Sequence, residues 1–555
     1  MKRIFNVKTL RTLFALSWVA IAVSCTDDPD SPSDSSILIN TDSEQLSQRL
    51  TLDGTGVVGI TAPSNPSGRV LDDDDAEKIS LVLISQASSP EYEGNTLQAT
   101  HVDIDDDYAY VAYNTAGPTY LGAVEILDIS DAYKPKIVSQ AIFRNADISA
   151  LEYRDGLLFL AMAIDVDQSE VSDPANLGVV SVSNGQFTSD FRFFSVPGFV
   201  ATDVTATSQF TALVSGSNGT LTLFDRNLNK LSETPGEDLR SVAFGENRLA
   251  ILSGTQGAAI LNPNSLAEVT RISLEADEAQ AKRTLEIEDD HVFIALGRKG
   301  AGIYRLSNGR EESTLPIPIN PENVEQGDIV TNAVSVDDEL LFMANGAAGI
   351  SVADVDDADE PELYGVLDLD GSSNFVRFED KYIFVATGQG GIQILKIVKD
   401  DDDDDDDDEE EGNGEINCVG LPAYRGSSNL NINGNENAAF SGSAQLKNVN
   451  IGGEFLFCGS LAIEQNLNVN SNGQMTVVGS FAFGQYRKNT SLNVNSNATL
   501  RLSGSTVIYG DLRLNSGATL EFVGNDNTIT VYGDVQINSG ARIIGNFKDT
   551  EDKLD

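Results

Sequence analysis

The sequence predicts an all-β protein: a seven-bladed β-propeller followed by an acidic linker and a parallel β-helix (solenoid). Three observations carry that prediction. Units of four short strands recur roughly every 40–45 residues through the first two thirds of the chain. A run of acids then fills Asp400–Glu411. Beyond it an Asn-rich motif returns about every 20 residues, a solenoid-like period. At 555 residues the chain is too long for one core, so several domains are expected. Its 48 glycines suit turn-rich β structure.

Residues 1–24 form a targeting segment, to be set aside from the fold. Lys2, Arg3, Lys8 and Arg11 surround the start of the apolar run Leu13–Val23, which is short for a membrane span. Ala22-Val23-Ser24-Cys25 places small residues directly before a cysteine and resembles the lipobox of bacterial lipoproteins. The resemblance implies lipidation of Cys25 and attachment to a membrane through acyl chains. Ala22 stands where the lipobox prefers Leu. The following Thr26-Asp27-Asp28-Pro29-Asp30 is similar to the acidic signal that directs Bacteroidetes-type lipoproteins to the outer face of the outer membrane. The expected location is therefore the outer membrane, lipid-anchored and exposed at the cell surface. Residues 25–76, rich in Ser, Asp, Pro and Gly, read as a disordered acidic stalk, allowing a short strand around Leu50–Ala62.

Residues 77–398 are the propeller. Apolar strands stand at Tyr108–Tyr113, Leu157–Ala161, Thr211–Ser215, Leu249–Ser253, Val292–Leu296, Leu340–Ala344 and Tyr382–Ala386. The strands that follow open near Val124, Val179, Leu221, Ile260, Ile303, Ile350 and Ile392. A blade cannot bury both faces alone, and stacking around an axis solves that. The seventh unit ends at Gln393–Val398 without a fourth strand, whereas Lys78–Ser85 is an orphan strand similar to Lys136–Phe143. Pairing the two closes the ring and covers a free edge. Seven blades is the reading, with six and eight the alternatives. Ala109-Tyr110-Val111-Ala112, then Val124-Glu125-Ile126-Leu127-Asp128-Ile129-Ser130-Asp131 and Pro135, resembles the LVIVD repeat of bacterial and archaeal surface proteins. Ile350-Ser351-Val352-Ala353-Asp354-Val355 with Pro361 is a second copy. The resemblance implies a propeller and transfers no reaction.

Residues 399–414 form a polyacidic linker, held extended by its own repulsion; a calcium-responsive segment is the alternative. Residues 415–549 change character. Leu467-Asn468-Val469-Asn470-Ser471-Asn472-Gly473 returns at Leu492–Ala498, Leu512–Ala518 and Val535–Ala541. Asn and Gly tolerate left-handed corners, so these repeats read as rungs of a solenoid. Their texture resembles bactofilin-like and pectin-lyase-like solenoids, and a two-sheet sandwich is the second reading. Cys418 and Cys458 fall in the first rungs and are the expected disulfide of an exported protein. Residues 550–555 are a tail.

Chemistry is harder to find. His101 and His291 are the only histidines, and no nucleophile elbow, P-loop or zinc helix accompanies them. The catalytic and cofactor-binding sets are therefore empty. Asp103, Asp105 and Asp107, with Asp106, form one carboxylate cluster, and Asp354 and Asp356 belong to another. Hard cations want several oxygens from one loop, which makes these residues the calcium candidates, while turn formation is the plainer reading. A formal charge of −49 repels phosphate backbones, so nucleic-acid binding is excluded. The functional expectation is a non-enzymatic binding, adhesion or scaffold module for a protein or glycan partner. Its alternative is a carbohydrate-active enzyme, a lyase or glycoside hydrolase, working in the propeller's central pocket. A third reading makes the solenoid a polymerising or envelope-anchoring element.

Overall fold

In the computed structural model, residues 36–51, 56–58, 60–61 and 79–554 are described, apart from 131–134, 275–280, 319–323, 326, 338, 368, 370, 380–381, 400–415, 417, 419–420, 423, 425, 485–488 and 525–526. The leader, Cys25 and nearly all of the acidic linker lie outside the described residues. Among the described residues no helix is long and apolar enough to cross a membrane.

Seven antiparallel sheets form the propeller. Blade 1 consists of Gln98–Asp105, Tyr108–Asn114, Gly122–Asp128 and Lys136–Phe143, from the axis outward. The next six begin with the inner strands Ala146–Arg154, Ala201–Ala206, Leu239–Gly245, Leu285–Glu288, Ala333–Asp337 and Phe375–Glu379. The second strand of each blade is sandwiched between neighbouring blades and buried on both faces. Phe210–Ser215, for example, is buried at every position. Such strands read as continuous apolar runs, and that is why their spacing reveals the blade count.

The ring closes as the sequence implies. Blade 7 takes its fourth strand, Ile79–Ala87, from the N-terminal side, and it pairs antiparallel with Ile392–Lys399. In all seven blades the pairing of third and fourth strands slips partway along, at Ile126/Leu127 in blade 1 and at Ile394/Leu395 in blade 7. A bulge of this kind bends the outer strand and increases its twist. The borrowed strand thus reproduces the geometry of the six native ones.

The stretch expected as a disordered stalk differs from that reading between Ile37 and Thr61. Ile37–Asn40 adds a fifth strand to blade 1. A one-turn helix follows at Ser43–Leu46, capped by Asp42, whose side chain accepts from the Gln45 N–H. Leu50–Thr51 and Gly56–Val58 then pair with Ile79–Ala87, and Ile60–Thr61 pairs with blade 6. Exposed blade edges offer unpaired backbone groups, and Ile37-Leu38-Ile39 is enough apolar chain to take one. Arg49 fastens this strap: its guanidinium bonds the Ser88 carbonyl and the wholly buried Glu125 carboxylate of blade 1.

The C-terminal domain is a parallel β-solenoid of about six turns. Its rungs have three sides, seen in Asn429–Ile432, Asn437–Ser441 and Ala444–Leu446 of the first turns. On the first side Leu430, Val449, Leu467, Leu492 and Leu512 stack inward in register. Outward, Asn448 donates to Asn429 at 2.6 Å and Asn466 to Asn448 at 2.6 Å, so like amides satisfy one another up the stack. A glycine row, Gly459, Gly479 and Gly504, turns one corner at φ of 114°, 105° and 98°. Such values favour residues without a Cβ. Cys418 is joined to Cys458 by a disulfide. The third side lies against blade 7: the strands Glu454–Val469, Gln474–Phe483 and Thr499–Ile508 approach Ile79–Ala87 and Ile392–Lys399. Its outward Ala482 and Val507 are consequently buried. Residues 550–554, expected as a tail, fold back on the last turn. There Asp549 accepts the N–H groups of Glu551, Lys553 and Leu554, and Leu554 is buried.

Candidate functional site

The inner strands of all seven blades enclose an axial cavity of about 680 Å³. Side chains alternate along a strand, so every second residue of each inner strand faces the axis or the seam with the next blade. One such position per blade carries a polar group: Asp103, Glu152, Asp203, Ser241, Glu286, Ser335 and Arg377. The first six share a task. Asp103 accepts the Tyr153 N–H of blade 2 at 2.7 Å, and Glu152 the Ala206 N–H of blade 3 at 2.9 Å. Asp203 accepts from Val242 at 3.1 Å and Ser241 from Leu285 at 3.3 Å. Glu286 accepts from Val336 at 3.1 Å, and Ser335 from Phe378 at 3.1 Å. Blades 1 to 6 are each stitched to the next by a side chain satisfying a backbone donor that the ladder leaves open.

The seventh position breaks the pattern. Arg377 has no acceptor to offer blade 1, and there Asp103 takes the Ile104 N–H on its own strand. Arg377 instead bonds Glu286 at 3.1 Å. Burial works against its charge, but Glu286, Asp103, Glu379 and Glu152 overcome it and hold the guanidinium above its ordinary value. Burial raises Asp103, Asp203 and Glu286 as well, against Arg377 for the first and last and against Lys282 for Asp203. Glu152 is pushed up to about 8, by burial first and the Asp103 charge second. Both causes favour the protonated form of Glu152 beside the Asp103 carboxyl.

The two ends of the cavity differ. Where the inner strands begin, Lys282 reaches from blade 5 across the axis and donates to the carbonyls of Thr100 and Ser149, both at 2.9 Å. Its ammonium stands 5.0 Å from the Phe375 ring, on which His101 stacks at 3.8 Å. Burial draws Lys282 down to about 8, with Asp203 opposing, and lowers His101 together with Lys282 and Arg377. Where the inner strands end, Asp105, Asp106, Glu288, Asp337 and Glu379 rim the cavity, with Arg154 among them. Asp105 is raised by burial and by Asp106, and Glu288 by burial and by Asp289, Asp337 and Glu246. Like charges gathered this closely focus a negative field at this mouth.

The sequence candidates are thus divided. Asp103 and Asp105 belong to the axial cavity. Asp107 sits in the adjoining turn, where its carbonyl accepts the Ile129 N–H. Asp354 and Asp356 lie in a turn of blade 6: Asp354 accepts from the Asp356 N–H at 3.0 Å and from the Tyr364 hydroxyl at 2.5 Å. Among the described residues no three His, Cys, Asp or Glu side chains converge as a metal site. His291 bridges Asp290 and the buried Glu312 in blade 5. Glu152, Asp203, Glu286, Lys282 and Arg377 escaped the sequence reading. The ring residues leave a weak signal: each stands five residues before the start of its blade's apolar second strand, or seven in blades 3 and 4.

No family model matches the chain, and no curated protein matches it. Among solved structures, the WD40 repeats of RRP9 are similar at 9% identity and a TM-score of 0.44, over 61% of this chain and 99% of that one. A catalytically inactive virginiamycin B lyase from Staphylococcus aureus, with quinupristin, is similar at 12% identity and a TM-score of 0.42, over 57% and 99%.

Proposed function

We propose that the chain is a cell-surface lipoprotein whose propeller is a non-enzymatic binding module, with the axial cavity receiving a group from a protein or glycan partner. The lipobox-like Ala22–Cys25, the acidic Thr26–Asp30 and the LVIVD-like units around Ala109 and Ile350 support the surface placement. One observation carries the binding reading. The wall carboxylates are committed to holding blades together, Glu286 with both oxygens and Asp203 through Ser241 and Val242. A wall built this way is rigid, and rigidity suits recognition. The acidic mouth turns away anions and draws cationic or hydroxyl-bearing groups.

A second reading has its own support. Glu152 beside Asp103, with Arg377 in the same cavity, is a convergent set of acids and a guanidinium of the kind that glycoside-cleaving sites use. Incubating the protein with a polysaccharide panel separates the two. Saturable binding without new reducing ends or unsaturated products supports the module. Product release that Glu152→Gln abolishes establishes the enzyme instead.

A further inference from the structure

A second cavity, of about 500 Å³, lies where the N-terminal strap crosses the seam between blades 7 and 1. Four carboxamides reach it from four separate segments: Asn40 from the added strand, Gln45 from the one-turn helix, Gln140 from the outer strand of blade 1 and Gln389 from a turn of blade 7. We propose that this seam pocket is a binding site for a neutral pyranose sugar.

The chemistry of the lining selects the ligand. Each carboxamide offers a donor and an acceptor side by side, the pattern that neighbouring sugar hydroxyls present in return. Two of the four are held in place. Asn40 donates to the Gln45 oxygen at 3.3 Å and Gln140 donates to Glu125 at 2.5 Å, leaving the Gln45 amide nitrogen and the Gln140 oxygen for a ligand. Gln389 makes no hydrogen bond among the described residues and is exposed. Charge is almost balanced: Arg49 is engaged by Glu125 and the Ser88 carbonyl, and Glu91 accepts from Thr96 at 3.3 Å. A phosphate finds no free guanidinium here, and a cation finds far less negative charge than at the axial mouth. The volume falls within the range of small-ligand sites. A sugar bound here touches the strap and both blades of the closing seam, so it favours the closed ring over any state with the strap detached.

The site shares no residue with the axial cavity, so the two readings fail separately. Saturation-transfer NMR on the full exported chain, with glucose, galactose, mannose and N-acetylglucosamine as probes, tests it. At least one probe saturates. In the double variant Gln45→Ala/Gln389→Ala, both at exposed positions, its dissociation constant rises at least tenfold while the melting temperature stays unchanged. Glu152→Gln leaves that constant alone. Either single substitution, which removes one carboxamide, gives an intermediate loss. The proposal is overturned if no probe saturates by roughly 10 mM, above the millimolar affinity that marks a weak site. It is equally overturned if the double variant binds as the parent does.

Discussion

Replacing Arg49 by Met tests whether the strap is part of the propeller's stability or merely rests on it. The Glu125 carboxylate beneath Arg49 is 0% exposed, and Arg49 itself is 20% exposed. With the guanidinium gone, Glu125 keeps the Gln140 amide as its hydrogen-bond donor. A buried ion pair broken on one side costs about 3–5 kcal/mol, because the surviving charge is left uncompensated. The partial exposure of Arg49 admits water and places the expected loss near the lower figure. For a domain of this size, 1 kcal/mol corresponds to roughly 2 °C, so the melting transition should fall by about 6 °C. Limited proteolysis should cut the strap between Asn40 and Thr51 well before the blades. Adding Glu125→Gln in the same chain removes the orphaned charge and should restore most of the loss. The reasoning is refuted if Arg49→Met costs under about 1 kcal/mol, the worth of an exposed pair. It is refuted too if Glu125→Gln fails to rescue.

Glu152 gives the protein a pH dependence of known sign. Its folded value, about 8, lies above the ordinary 4.5, so the folded state holds a proton the unfolded chain has released. That contribution is complete below about pH 4.5 and is lost as the pH rises through about 8. Stability of Glu152→Gln should fall less than the parent's across this window in denaturant titrations; equal slopes would remove Glu152 from the account. Reducing the Cys418–Cys458 disulfide should lower solenoid stability by about 2–4 kcal/mol. In calorimetry the solenoid transition should move and the propeller transition stay, and a shift of both together would contradict the assignment.

How much the sequence disclosed depended on where each residue faces. Second and third strands are buried on both sides, so runs such as Leu157–Ile164 are apolar without interruption and count the blades directly. Ile79–Ala87 was legible for the same reason, and the Asn rows of the solenoid because identical residues stack on themselves. Inner strands hide. Ala201–Ala206 alternates small apolar residues with Thr202, Asp203 and Thr205, and short mixed runs of that sort look like loops. The candidate site is built from one residue per such strand, each a blade apart in sequence, so no local motif announces it. Ile37–Asn40 was masked by polar neighbours, since a fifth strand on an edge needs only one face covered. The docked side of the solenoid was invisible because Ala482 and Val507 are merely small.

The borrowed strand of blade 7 also imposes an order of events on the newly made chain. Ile79 pairs with Lys399, so the first-made partner waits while some 320 residues follow it, tens of seconds at a synthesis rate of about 5–20 residues per second. Contacts so distant along the chain close slowly, and until then the edge of Ile79–Ala87 that Ile392–Lys399 will take is open, a form prone to wrong pairing. The strap pairs with this same strand through Leu50–Thr51 and Gly56–Val58, which shields it during the wait. The solenoid, whose third side rests on the strands that meet at closure, can seat itself only afterwards. A solenoid docked across both strands therefore reports that the ring beneath it has closed.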